Sequence, residues 1–177
     1  MLFRSGVDAV YDAAFRRAGM LRVFTLDELF DAVETLAMAP SFVGDRLTIL
    51  TNGGGMGVLA TDTLLDLGGR LAALDAATLA KLDAVLPRTW SRGNPVDIIG
   101  DASGERYAAA LNVLLGASDS DAILVLNCPT AVADPLDAAR AVADTLQGGR
   151  HPVLTSWLGA DAAHPSDRKS TRLNSSH

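Results

Sequence analysis

An α/β fold built on a doubly wound, parallel, five-stranded sheet is predicted for residues 45–160, preceded by a short helical stretch. Three features predict it. Short apolar runs of strand type recur five times from Leu47 onward. Segments of helical spacing alternate with them, as in successive β-α-β units. Turn residues punctuate the boundaries, as at Gly68-Gly69, Pro87 and Asn94-Pro95.

The elements follow in order. Val7, Val10, Tyr11, Ala14, Phe15 and Ala18 recur at helical spacing, and Gly19 stands where a helix wants its C′ residue. Leu21-Arg22-Val23 reads as a short strand. Thr25 with Glu28 makes a capping box for a second helix carrying Leu26, Leu29, Phe30, Val33 and Leu36. Residues 37–45, with Pro40 and Gly44, read as a linker. Leu47-Thr48-Ile49-Leu50 is a strand entering a Gly-rich turn, and Val58 to Leu67 is the helix after it, closed by Gly68-Gly69. Leu71 to Leu74 is the second strand, Thr78 to Leu86 a helix stopped by Pro87, and Val96 to Ile99 the third strand. Ser103 to Leu115 is helical. Ala122 to Leu126 is the most apolar strand and therefore central, because strands covered on both faces read as unbroken hydrophobic runs. Asp134 is the N-cap and Pro135 the first residue of a helix to Leu146, and Pro152 to Thr155 is the fifth strand. The pattern is flavodoxin-like, and ligands of such sheets bind beyond the strand carboxyl ends. The chemistry is therefore expected at residues 52–57, 100–101, 127–130 and 157–159.

The two ends of the chain read differently. Asp167 to His177 is the translation of a common short-read sequencing adapter, and Met1 to Ser5 that of its reverse complement with a GTG start. Residues 1–5 and 167–177 are expected to be adapter-derived and are set aside. The formal charge of −6 then loses four basic residues (Arg4, Arg168, Lys169, Arg172) and one acid (Asp167), leaving 11 basic against 20 acidic, near −9. An acidic surface without a Lys/Arg stripe argues against nucleic acid or an anionic membrane as partner. No run is apolar enough to span a bilayer, and a lone cysteine, Cys128, fits a reducing, cytoplasmic compartment. Ala, Asp and Arg usage suggests a GC-rich bacterial genome.

Asn52-Gly53-Gly54-Gly55-Met56-Gly57 is the most informative loop. Consecutive glycines let backbone N–H groups converge on an anion, and the helix that follows adds its positive dipole end. A phosphate or phosphoryl group fits; a tight turn that uses glycine for packing alone is the competing explanation. A P-loop is excluded because no Lys-Ser/Thr pair stands at the required offset. Gly55-x-Gly57-x-x-Ala60 meets the relaxed dinucleotide pattern, with Asp75 where a ribose-binding acid belongs, so a dinucleotide-binding domain is a minor alternative. No metal ligand set is evident.

Val10 to Gly19, Thr25 to Phe30, Leu50 to Asp62 and Gly93-Asn94-Pro95-Val96-Asp97-Ile98-Ile99-Gly100-Asp101-Ala102 together resemble the NDP-forming acyl-CoA synthetases, the ADP-forming acetate–CoA ligases related to succinyl-CoA synthetase. Thr89 to Pro95 and Leu126 to Ala131 are most similar to long bacterial versions that end in a GNAT acetyltransferase domain. The resemblance implies a relay in which acyl phosphate forms, a histidine is phosphorylated, acyl-CoA leaves, and the phosphohistidine loop swings to ADP. It implies that the histidine, in a Ser-His-Thr-Gly-type loop, lies upstream, so that no catalytic residue is carried here. Residues 6–44 would be the end of the histidine-bearing α/β subdomain, and 45–160 the flavodoxin-like domain whose residues 52–57 steady the phosphohistidine. Asn94, Asp97 and Asp101 would cap backbone or orient the histidine loop. The fragment itself would bind no cofactor. ATP or ADP, Mg and CoA are implied for the parent, whose CoA-binding and ATP-grasp domains would be partners, and a homo-oligomeric parent is expected.

Other residues read plainly. His151 and His164 lack a catalytic partner at any motif spacing, Cys128 reads as a small buried thiol, and Trp90 and Trp157 as core. Two function classes remain: a phosphohistidine-handling piece of an acyl-CoA synthetase, or a regulatory, scaffolding module of a protein acetyltransferase whose ligase part has lost its histidine.

Overall fold

Helix ends at the start of the chain follow the signals in the sequence. The computed structural model describes residues 8–38, 44–147, 149 and 151–158, and it divides the chain into two compact units, Met1–Met38 and Ala39–His177. The adapter-like ends and His164 lie outside the described residues. In the first unit, α1 (Asp8–Arg17) closes at Gly19, whose φ of 67° lets Met20 N donate to Phe15 O at 2.9 Å. Before α2 (Leu26–Met38), Glu28 N donates to Thr25 Oγ1 at 3.1 Å, and Glu28 Oε2 accepts from Phe24 N, one residue earlier than in the usual box. Leu21-Arg22-Val23 forms no strand: among the described residues no ladder partner lies beside it, and Arg22 instead pairs with Asp8 and Asp12 and covers the Phe24 ring.

The second unit carries the sheet: β1 (Arg46–Thr51), α3 (Gly54–Asp66), β2 (Arg70–Leu71), α4 (Ala76–Val85), β3 (Val96–Asp97), α5 (Gly104–Leu115), β4 (Ala122–Asn127), α6 (Pro135–Thr145) and β5 (Val153–Trp157). All pairings are parallel, and β4 lies between β1 and β5, as its apolar run requires. Strands β2 and β3 are shorter than the sequence suggests. Both pair with β1, β2 at Arg46 and Leu47 and β3 at Leu50 and Thr51, so they follow one another along the same edge.

Asn94 fills the gap between them. Its Oδ1 accepts from Ile49 N at 3.0 Å, and its Nδ2 donates to Leu47 O at 2.8 Å and to Ala72 O at 3.0 Å. One side chain thereby supplies the ladder bonds that a backbone would make, before the cis peptide bond to Pro95.

Alternation along the strands sorts the two faces. Leu50, Ile123, Val125 and Val153 join Tyr107, Leu111, Ala138, Ala139 and Val142 of α5 and α6, with Leu82, Leu86 and Trp90, in one core. On the other face the Thr51 methyl meets α3 at Gly57. Asp75, Ser103 and Asp134 cap α4, α5 and α6 with their side chains. No helix among the described residues is long and apolar enough to cross a membrane.

Candidate functional site

The carboxyl ends of β1, β3 and β4 bring three loops together. Helix α3 starts at Gly54, four residues before the expected Val58, so most of the glycine run is the first turn of a helix rather than a loop. Glycine's poor helix propensity hides this from the sequence. The N-cap, Gly53, has no side-chain oxygen to offer, and helix geometry leaves the Gly54, Gly55 and Met56 N–H groups without intrahelical acceptors. Gly54 and Gly55 are exposed. By contrast, Gly57 N donates to Gly53 O and Gly53 N to Thr51 Oγ1. Of residues 52–57, then, three present N–H groups outward, at the positive end of a 13-residue helix.

Each glycine answers differently to an added Cβ. At Gly53 it would lie 2.5 Å from Cys128 Sγ, at Gly54 2.8 Å from Asp97 Oδ2, and at Gly57 3.1 Å from both Pro95 Cβ and Thr51 Cγ2. At Gly55 it would meet nothing within 4 Å among the described residues, and the φ there is not positive. Packing explains three glycines and leaves Gly55 unexplained.

Asn52 holds the loop to β4. Its Nδ2 donates to Cys128 O at 2.9 Å, and its Oδ1 accepts from Cys128 N at 2.7 Å. Asn52 is buried, so its carboxamide clasps neighbouring backbone and offers nothing to a ligand. Beneath it Tyr107 OH donates to Leu126 O and accepts from Asn127 Nδ2. Burial pushes the Tyr107 hydroxyl well above its ordinary range, so it stays protonated. Thr130 Oγ1 donates to Gly100 O and ties the remaining loop. Neither the clasp nor Tyr107 stands out in the sequence, because their partners lie on other strands.

The three expected orienting residues part company. Asn94 is fully engaged in the sheet edge, a correction that follows from its three ladder bonds. Asp101 pairs with Arg106, which holds its carboxyl below the usual range, and Arg106 also donates to Ile98 O. Asp97 alone faces the loop: Oδ1 accepts from Ile99 N at 2.9 Å while Oδ2 lies against Gly54. Ile99, β-branched, has a φ of 71°, a conformation that costs about 1–3 kcal/mol and concentrates at functional sites.

Burial pushes the Cys128 thiol up, with the Asp97 charge adding and the Thr51 hydroxyl opposing, which makes it a poor nucleophile. Desolvation lowers the His151 pKa, and its Nε2 has no hydrogen-bond partner among the described residues. Trp90 and Trp157 are buried, their indole N–H groups donating to Asp83 and to Pro135 O. The dinucleotide alternative loses its two supports. Asp75 Oδ1 accepts from Thr78 N as a helix cap, and Gly55 to Ala60 lies wholly inside α3 instead of spanning the turn before it.

A family model for the Ligase-CoA domain matches residues 47–162, which takes in all of the sheet but its first residue and the loops at its carboxyl ends. The chain belongs to that family. The chain is 38% identical over 158 residues to the alpha subunit of acetate–CoA ligase (ADP-forming) I from Pyrococcus furiosus, covering 88% of the chain and 34% of that protein. It is 36% identical over 164 residues to acetate–CoA ligase (ADP-forming) I from Archaeoglobus fulgidus, covering 93% of the chain and 23% of that protein. Among solved structures it is similar to the dinucleotide-forming acetyl-coenzyme A synthetase 1 of Ca. Korarchaeum cryptofilum in complex with phosphate and ADP. That match has a TM-score of 0.81 and 30% identity, and covers 97% of the chain and 40% of the solved one. The chain thus spans two fifths or less of the length of each of these relatives.

Proposed function

We propose that the chain is part of an ADP-forming acyl-CoA ligase of the acetate–CoA type, and that the amino end of α3 steadies a phosphoryl group carried there on a histidine. Gly55 is the observation that carries the reading. Neither packing nor backbone conformation demands glycine at this exposed helical position, where alanine would be more stable by up to about 1 kcal/mol. Close approach of a ligand to the backbone accounts for it.

The chemistry suits a group in transit. Three N–H dipoles and the helix end favour a phosphoryl group, while Asp97 beside Gly54 opposes permanent capture of a free dianion. On this reading Asp97 also orients the histidine, its Oδ2 accepting from the imidazole N–H that the phosphoryl group leaves free. The nucleotide, magnesium and CoA would be held by other domains of a cytoplasmic parent, and residues 6–44 would finish the subdomain that bears the histidine. A phosphohistidine role predicts that 1-phosphoimidazole, titrated into isotope-labelled chain, moves the amide resonances of Gly54, Gly55 and Met56 saturably. Shifts scattered away from α3, or none, would argue against it. Reading the codons upstream of the chain in its source DNA gives a second test. Ser-His-Thr-Gly there supports the enzyme, and a ligase region without the histidine supports a regulatory module of an acetyltransferase.

A further inference from the structure

Asn52-Gly53 is the only Asn-Gly pair in the sequence. In an unconstrained chain this pair is the most prone to deamidation, because glycine leaves its own backbone nitrogen open to attack the preceding side chain. The Gly53 nitrogen bonds to Asn52 Cγ and loses its proton to solvent, the Cγ–Nδ2 bond breaks, and ammonia leaves. Water then opens the resulting succinimide at either carbonyl to give aspartate or isoaspartate. No oxidant or cofactor is required.

Every atom in that step is restrained here. The electrophile is pinned, since Asn52 Oδ1 accepts from Cys128 N and Nδ2 donates to Cys128 O. The nucleophile is occupied, since Gly53 N donates to Thr51 Oγ1 at 3.0 Å while the same hydroxyl donates to Gly53 O at 3.2 Å. Cys128 Sγ crowds the Gly53 α-carbon, where an added Cβ would stand 2.5 Å from it. Asn52 itself is 3% exposed, which keeps hydrolytic water away.

We propose that Asn52-Gly53 is a deamidation site latched shut by the Asn52–Cys128 clasp, whose conversion irreversibly unfastens the amino end of α3 from β4. Aspartate cannot replace the lost bond, because a carboxylate oxygen would face Cys128 O where Nδ2 donated. Isoaspartate also adds a methylene to the main chain between β1 and α3. Both products set a negative charge beside the N–H groups of Gly54, Gly55 and Met56. The site reacts only when the clasp opens, so its rate measures that opening.

The test uses the chain itself, incubated in mildly alkaline buffer either folded or in concentrated urea. Trypsin releases Leu47 to Arg70, in which Asn52 is the sole asparagine, so loss of its amide and appearance of isoaspartate are read by mass and by isoaspartyl methyltransferase. The unfolded chain should convert steadily and the folded chain at least about a hundredfold more slowly. Thr51→Val, checked for an unchanged circular dichroism spectrum, should speed conversion in the folded state by freeing the nucleophile. The converted chain, separated by its extra charge, should lose hydrogen-exchange protection at the Cys128 amide. Equal rates in the folded and unfolded chain, no conversion in urea, or full protection at Cys128 after conversion would overturn the proposal. None of these readings depends on which ligand α3 receives.

Discussion

The carboxylate of Asp97 lies against the α-carbon of Gly54, so close that a Cβ on that glycine would stand 2.8 Å from Asp97 Oδ2. An acidic side chain beside a helix amino end is favourable in itself, by about 0.3–1 kcal/mol. It also sets a like charge next to any arriving phosphate. Asp97→Asn should therefore raise the affinity of the chain for inorganic phosphate by about threefold to tenfold, an effect that shrinks with added salt. Amide-shift titration of both proteins reads it. Unchanged affinity would mean that Asp97 does not face the anion.

Asn94 makes three hydrogen bonds that hold β2 and β3 to one edge of β1. Its replacement by alanine leaves Ile49 N, Leu47 O and Ala72 O without their partner in a half-buried seam. At about 0.5–1.5 kcal/mol for each net bond, Asn94→Ala should cost roughly 2–4 kcal/mol in urea unfolding. A loss within the scatter of an ordinary surface substitution would show that water replaces the side chain.

Asp121 caps the other end of the sheet, accepting from Arg46 Nη2 and Nε and from the backbone N–H groups of Asp45 and Arg46. Hydrogen bonding to the Arg46 side chain, then to its backbone, holds the Asp121 carboxyl down to about 2. The unfolded value is near 3.9. Because the folded value is the lower one, the carboxylate's contribution is complete above the unfolded pKa and is lost as pH falls towards about 2. Asp121→Asn should be less stable than the parent sequence at neutral pH, with the gap closing between about pH 4 and pH 2. Urea melts across that range check it. A gap independent of pH would assign the effect to shape alone.

Much of the fold was legible because its signals are local. The unbroken run Ala122 to Leu126 announced a central strand, and Asp134 with Pro135, or Thr25 with Glu28, announced helix starts within a few residues. What escaped was long-range. Strands β2 and β3 are cut to two residues each because a side chain, Asn94, performs ladder work between them. Leu21 to Val23 has strand composition and no strand beside it among the described residues.

The candidate site was legible as a place and less so as a set of groups. Six consecutive residues, Asn52 to Gly57, read alike as anion ligands, yet Asn52 faces Cys128, Gly53 N faces Thr51 and Gly57 N faces Gly53 O. Only the start of α3 at Gly54 separates the outward N–H groups from the structural ones. Gly54 and Gly55, indistinguishable in sequence, differ through Asp97, which arrives from β3.

Gly55 tests the central claim most directly. Its Cβ would collide with no described residue, yet a helical Cβ leans towards the amino end, where the phosphoryl group is proposed to sit. The decisive measurement compares Gly55→Ala with the unaltered sequence in the parent enzyme, following unfolding, ³²P-labelling of the histidine and acyl-CoA synthesis together. Stability should hold or rise by up to about 1 kcal/mol while phosphotransfer falls about tenfold to a hundredfold. Normal labelling and turnover with the alanine in place would contradict the account and leave the glycine run a matter of packing.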